Sequence, residues 1–332
     1  MHFLTRFKYE NFPNLKVLYI ANDAPLSSKD GLPAEYYNTG YHQEIFEILC
    51  RLKLDVWSTR DSIELINLTA DFNYVFTLLN RLDFHNPEVF ISSICEYHNL
   101  KYLGAKPNIR ALAEDKHLTK IMARSLGIPT SDWMLYRVDD KKLIPPSFQG
   151  PYFLKWRNGA SSLDVEEDNC VDSWEAAIPR IENFHMQNKD VILERLLLGE
   201  SITVPVLTAA SPWALPGVLS ESDKKFGLVT FSQARRLEGG LTRKILTDQR
   251  LDRVLRYYSI ALFEAVKPVD YIRVDFRIDH ISGIPQLLEF NICCNISSRS
   301  AICLSANHIG ISHEELVGHI LNQSLIRQGF HR

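Results

Sequence analysis

The sequence lacks most features that would place it outside the ordinary globular enzymes. It has no apolar run long enough to span a bilayer, and Met1 to Asn11 mixes Arg, Lys and Glu with aromatics. Neither a membrane span nor a secretory leader is therefore expected. Its six cysteines (50, 95, 170, 293, 294 and 303) form no CxxC pair and have no histidine spacing suited to zinc. They read as free thiols in a reducing cytoplasm. Neither sign of charge is in excess: 37 Lys and Arg against 40 Asp and Glu leave −3, which excludes a global field favouring nucleic acid or anionic membrane. No repeat or low-complexity segment is present. What remains is 332 residues, 45% hydrophobic and 23% charged, enough for two or three domains.

Leu15 to Ala21, Asp55 to Trp57 and Phe72 to Leu79 read as strands, alternating with helical patterns over His42–Leu54 and Pro87–His98. With a strand end at Lys101 to Gly104, they predict a small parallel α/β domain over roughly the first hundred residues. Pro107 to Leu126 predicts one helix, capped by Asn108 and stopped by Gly127-Ile128-Pro129. Strands follow at Trp133–Arg137, Pro151–Trp156, Asp190–Glu194 and Ser201–Thr208, with a helix over Asp172–Gln187. Ser220 to Lys244 is long, polar and weakly patterned, and predicts a lid loop. Gln249–Val266 and Ile311–Leu325 read as helices, with Cys293–Ser300 a polar loop.

The most informative stretch is Tyr271 to Asp279 with Gln286 to Asn291. Alternation marks both as strands, and His280 to Pro285 has the composition of a hairpin turn. Period two puts Glu289 and Asn291 on one face, with Asp275 and Arg273 opposite them. Three oxygen-bearing side chains then converge where a hard cation such as Mg²⁺ would bind. The alternative is an ordinary solvated hairpin, since such short patterns are common.

Three further segments accompany the hairpin. They are Glu114 to Lys120 through Thr130, Phe153-Leu154-Lys155 with Asn158 to Ser162, and Ile192 to Arg195 through Gly199-Glu200-Ser201. In that order, over residues 104 to 325, the chain resembles the D-alanine–D-alanine ligase-like branch of the ATP-grasp superfamily. The resemblance implies an α/β (α+β) ATP-grasp fold. Its parts would be an N-terminal α/β domain (1–105), a central subdomain (106–198) and a C-terminal subdomain with metal site and lid (199–332), ATP lying between the last two. It implies Lys116 and Lys155 on the phosphates, Glu194 accepting from the adenine amino group, the backbone near Leu196 and Leu197 on the purine edge, and Glu200 on the ribose. Gly159 to Ser162 would close over the phosphates, with Ser161 assisting catalysis. Lys225 is taken as the lid lysine that reaches them, with Lys224 as the alternative. Asp275, Glu289 and Asn291 would hold two Mg²⁺ ions, with Mn²⁺ as a substitute. Arg273 would stabilise the transferring phosphoryl group and the later oxyanion. Asn295 and Ser300 would contact substrate. Lys116 and Lys120 lie on a helix, where the ordinary reading of a lysine is solvated surface. An inward Lys155, and a Glu194 after Val-Ile-Leu, are harder to explain without polar partners.

The chain departs from that family at two elements that hold its first substrate and at a turn that supplies an oxyanion donor. Asn22-Asp23-Ala24-Pro25-Leu26-Ser27-Ser28 replaces a glycine-rich, glutamate-bearing loop, Asn80-Arg81-Leu82-Asp83 replaces a histidine-glycine segment, and Ile292-Cys293-Cys294-Asn295 replaces a Pro-Gly turn. Cys293 and Cys294 read as small core-lining thiols. The expected activity is an ADP-forming, C–N bond-forming ligase acting on an amino acid and a small-molecule acceptor, other than D-alanine–D-alanine ligase. It could serve specialised metabolism, as a mycosporine-type ligase does. D-alanine–D-alanine ligase itself and a non-catalytic nucleotide-binding regulator are the alternatives. A cytoplasmic homodimer without nucleic-acid or membrane partners is expected.

Overall fold

A computed structural model describes residues 3–25, 40–67, 70–79, 87–158, 167–230, 233 and 239–330. Three sheets follow one another along the chain. The first joins β1 (Lys16–Ala21), β2 (Asp55–Thr59), β3 (Tyr74–Leu78) and β4 (Lys101–Tyr102), all parallel, in the order β2-β1-β3-β4. The runs of β1 and β3 are apolar on both faces because both faces are covered. Val17, Tyr19 and Phe76 pack on Ile45, Ile48 and Leu49 of the Gly40–Arg51 helix. Leu18, Ile20 and Val75 pack on Ile91 and Cys95 of the Pro87–Tyr97 helix. The closing helix His313–Arg327 returns to this sheet, where Ser324 accepts from Tyr74 (2.8 Å).

The second sheet is antiparallel: β5 (Trp133–Tyr136), β6 (Tyr152–Trp156), β7 (Cys170–Val171) and β8 (Val191–Arg195), ordered β5-β8-β6-β7. Tyr136, Tyr152, Leu154, Val191 and Leu193 pack on Ala177, Ile181 and Phe184 of the Trp174–Met186 helix. By alternation Lys155 and Glu194 emerge on the opposite face.

The third sheet holds β9 (Ser201–Leu207), β10 (Trp213–Ala214), β11 (Val218–Ser222), β12 (Leu241–Ile245), β13 (Tyr271–Ile278) and β14 (Pro285–Asn291). Its path is β12-β11-β9-β13-β14, with β10 also on β9. Ile202, Val204, Ile272, Val274, Phe276, Leu287 and Phe290 pack with Leu255, Leu262 and Phe263 of the Gln249–Ala265 helix. Leu287 and Phe290 share that face although three residues apart, because the register shifts between Asp275 and Phe276 and leaves Leu288 as the extra residue.

Three expectations change. The helix over Pro107–Leu126 is two helices, Pro107–Glu114 and Lys116–Ser125, parted at Asp115, whose backbone is extended (φ −90°, ψ 99°). Asp115 caps the second by accepting from the Leu118 N–H (3.0 Å), and Arg157 holds its other oxygen (2.7 Å). The first starts at Pro107 after Lys106, so Asn108 is not its cap. Ser220 to Lys244 is not a loop throughout, because β12 pairs antiparallel with β11 and makes a two-stranded arm. The polar loop expected over Cys293–Ser300 stands, and Ser300 at its end caps a helix, Ala301–His308, that the sequence pattern did not show. Among the described residues no helix is long and apolar enough to cross a membrane.

Candidate active site

Backbone register brings the acidic residues together. β13 pairs with β14 so that Asp275 faces Glu289 and Arg273 faces Asn291, as the alternation predicted. Arg273 donates to Asp275 Oδ2 from Nε (3.1 Å) and from its terminal nitrogen (2.9 Å), Asn291 Nδ2 donates to the same oxygen (2.9 Å), and Thr203 donates to Oδ1 (2.7 Å). Thr203 comes from β9, where it lies opposite Asp275. Burial opposes the Arg273 charge, but Asp275 beside it raises its pKa.

The Lys116–Ser125 helix bridges this face to the second sheet. Lys116, its first residue, places Nζ 3.7 Å from Glu289 Oε2. One turn on, Lys120 is wholly buried with Nζ 3.2 Å from Glu194 Oε2. Lys155 Nζ lies 2.5 Å from Glu194 Oε1, and Ser131 donates to Oε2 (2.9 Å). Burial alone would raise the Glu194 pKa; Lys120 and Lys155 outweigh it and hold the carboxyl down to about 2. Burial pulls the Lys120 ammonium down to about 8 against the pull of Glu194. Lys116 is lowered by burial, with Glu289 opposing, and Glu289 is held low by Lys116, Lys155 and Arg273 against its own burial.

Lys120 is therefore no solvated surface lysine, and it is the residue that sequence reasoning missed. Its spacing of four from Lys116 was the available signal. Glu194 is the carboxylate that joins Lys120 and Lys155. Its carboxylate meets two ammonium groups and a hydroxyl.

The remaining expected residues divide. Leu196 and Leu197 are buried where the second sheet leads into the third, and the Leu196 N–H donates to the Pro151 carbonyl (2.8 Å). Glu200 is exposed, and its carbonyl accepts from the Ile278 N–H (2.9 Å). Only glycine fits at Gly199, where a Cβ would fall 1.7 Å from the Ile278 carbonyl oxygen. Lys225 is exposed on the arm, its ammonium 4.7 Å from the Phe226 ring centroid, so it is not brought to the lysine–carboxylate cluster. Asn295 is exposed and accepts from the Ser297 N–H (2.8 Å). Ser300 caps its helix, accepting from the Cys303 N–H (3.2 Å) and donating to the Ser297 carbonyl (2.7 Å). Ser161 and Ser162 lie outside the described residues, as do Gly159 and Arg235-Arg236. Burial pushes the Cys294 thiol up to about 12 and Cys293 higher still, consistent with inert thiols. Glu114 is pushed up to about 8 by burial and by neighbouring Glu88.

Asp275, Glu289 and Asn291 are hard oxygen donors and suit Mg²⁺ or Mn²⁺. Among the described residues no three His, Cys, Asp or Glu side chains form a metal cage. A cation here would complete its shell with oxygens from a ligand or water, as Mg²⁺ at a phosphate site does.

The model of the D-ala D-ala ligase C-terminus family matches residues 122–322. A D-alanine–D-alanine ligase of Clostridium botulinum (strain Hall) is 27% identical over 240 residues, covering 71% of this chain and 76% of that one. The uncharacterized protein y4sG of Sinorhizobium fredii is 27% identical over 251 residues, covering 75% and 73%. Among solved structures, a D-alanine–D-alanine ligase from Bacillus anthracis complexed with ATP superposes with a TM-score of 0.74 at 19% identity, covering 95% of this chain and 98% of that one.

Proposed function

The chain belongs to the D-ala D-ala ligase C-terminus family and is an ATP-grasp ligase, and from that premise we propose that it joins an amino acid to a small-molecule acceptor other than a second D-alanine. The observation that carries the nucleotide half is the convergence of Lys116, Lys155, Asp275, Glu289 and Asn291 from a helix and two facing sheets. Lys116 and Lys155 are flexible point charges suited to phosphate oxygens. Lys120 and Glu194 hold Lys155 in place. The backbone at Leu196 and Leu197 offers groups for a purine edge. Two Mg²⁺ ions held by Asp275, Glu289 and Asn291 would neutralise charge on the β- and γ-phosphates.

In the first step a carboxylate oxygen of one substrate attacks the γ-phosphorus and the bond to the β-phosphate oxygen breaks, giving an acyl phosphate and ADP. In the second, an amine nitrogen attacks the acyl carbon, loses a proton, and phosphate departs. Arg273 stabilises the charge that develops in both. The altered acceptor half rests on Asn22 to Ser28 and Asn80 to Asp83, which lack the family's first-substrate residues, and on Ile292 to Asn295, which replaces the family's oxyanion-donating Pro-Gly turn. Cys293 and Cys294 stand buried in the third of these.

The test is Mg²⁺- and ATP-dependent phosphate release against amino acids singly, in pairs, and with metabolite acceptors. Release for one specific pair, with ADP as co-product, names the substrates. Release with D-alanine alone would instead make this a D-alanine–D-alanine ligase, the activity named for the Clostridium relative. ATP binding with silence across the panel would favour a regulatory nucleotide-binding protein.

A further inference from the structure

Lys116, Lys120, Lys155 and Arg273 each have a carboxylate within 4 Å. Arg277 does not. It lies two residues beyond Asp275 on β13 and so on the same face, opposite Ser201 of β9 and Gln286 of β14. It is only 5% exposed, and among the described residues no carboxylate lies within ion-pair distance. One terminal nitrogen donates to Ser201 Oγ (3.4 Å) and the other to the Phe226 carbonyl at the tip of the arm. Its Nε–H is buried with no partner. A buried cation without a counter-charge destabilises a fold, and an apolar side chain of similar size would cost less. A use for the charge or the donor explains its presence.

Position says which use. Two residues along a strand is about 7 Å, so Arg277 stands that far from the expected metal position. The displacement runs toward the connection between the two sheets, where Ile278 donates to the Glu200 carbonyl and Gly199 packs on Ile278. A guanidinium is planar and weakly hydrated and lies well against aromatic rings, with its N–H donors in the plane. We propose that Arg277 contacts the nucleoside part of the nucleotide, its plane along the base and its Nε–H donating to an acceptor on the base or ribose. This rests on the nucleotide reading of the cleft.

Adenosine, ATP and tripolyphosphate, titrated calorimetrically into the unaltered protein, Arg277→Met and Arg277→Lys, test it. Arg277→Met is expected to weaken adenosine and ATP by the same factor, about tenfold, and to leave tripolyphosphate unchanged. The ligand-free melting temperature should hold or rise, because a buried unpaired charge is removed. Arg277→Lys restores charge without plane or Nε donor and should behave like Arg277→Met. A loss confined to ATP and tripolyphosphate would make Arg277 a phosphate contact, and rescue by lysine would reduce its part to charge. A fall in melting temperature with equal weakening of all three ligands would leave it only a clasp on the arm. Each overturns the proposal. No ATP binding by the unaltered protein would overturn the nucleotide reading itself, whereas intact binding in Arg277→Met would overturn this inference alone.

Discussion

Lys120 Nζ lies 3.2 Å from Glu194 Oε2 with both side chains buried, and this pair fixes the helix that carries Lys116 to the sheet that carries Lys155. Removing one partner of a buried pair leaves the other uncompensated, which costs about 3–5 kcal/mol. Here Lys155 still faces Glu194, so Lys120→Met should sit at the lower end of that range. Urea unfolding measures it. A loss below about 1 kcal/mol, the worth of an exposed ion pair, would mean the pair contributes little to the fold.

Glu289→Gln separates chemistry from folding. Glu289 has a quarter of its side chain exposed and its ion partner, Lys116, is 3.7 Å away, so the substitution should cost less than the about 3–5 kcal/mol of breaking a fully buried pair. Turnover in Mg²⁺ should fall by roughly a hundredfold or more, the scale of several kcal/mol of lost charge stabilisation. Steady-state kinetics beside a melting curve gives both numbers. Activity within a few fold of the unaltered enzyme would remove Glu289 from the metal site.

The parts of this site legible in the sequence are those where alternation and charge conflict with burial. Lys155 and Glu194 interrupt apolar strands, and Asp275, Glu289 and Asn291 repeat at period two, so their faces could be assigned without coordinates. Lys120 was hidden because its partner is distant in the chain and its own helix gives no sign of being covered. The break at Asp115 carries no Pro or Gly, and it is held by the Asp115 cap on Leu118 together with the contact to Arg157, which is distant in the chain. The Ala301–His308 helix is buried on most of its surface, so it shows no amphipathic period. β12 was lost in a polar arm whose pairing with β11 is a matter of register rather than composition.

Glu114 predicts a pH dependence of defined sign. Its folded pKa, about 8, lies above the ordinary 4.5, so the folded state keeps a proton that the unfolded chain has released. Stability is full below pH 4.5 on this account and declines as pH rises toward 8. Glu114→Gln keeps the neutral form throughout. It should match the unaltered protein at low pH and exceed it in urea midpoint at the high end of the window. Parallel pH curves for the two proteins would show that Glu114 ionises normally.

Ser300 is where capping and substrate binding can be told apart. Its hydroxyl accepts from the Cys303 N–H and donates to the Ser297 carbonyl, so Ser300→Ala should cost about 0.5–2 kcal/mol as a lost helix cap. Aspartate caps a helix as well as serine does, so Ser300→Asp should recover most of that stability. The two substitutions differ in charge toward a substrate carboxylate. If Ser300 only caps, Ser300→Asp restores KM along with the melting temperature. If it also binds the second substrate, the aspartate restores stability while raising KM for that substrate further, because a negative side chain repels a carboxylate. Recovery of both quantities together would leave Ser300 a cap alone and move recognition of the second substrate to other residues of the loop before it.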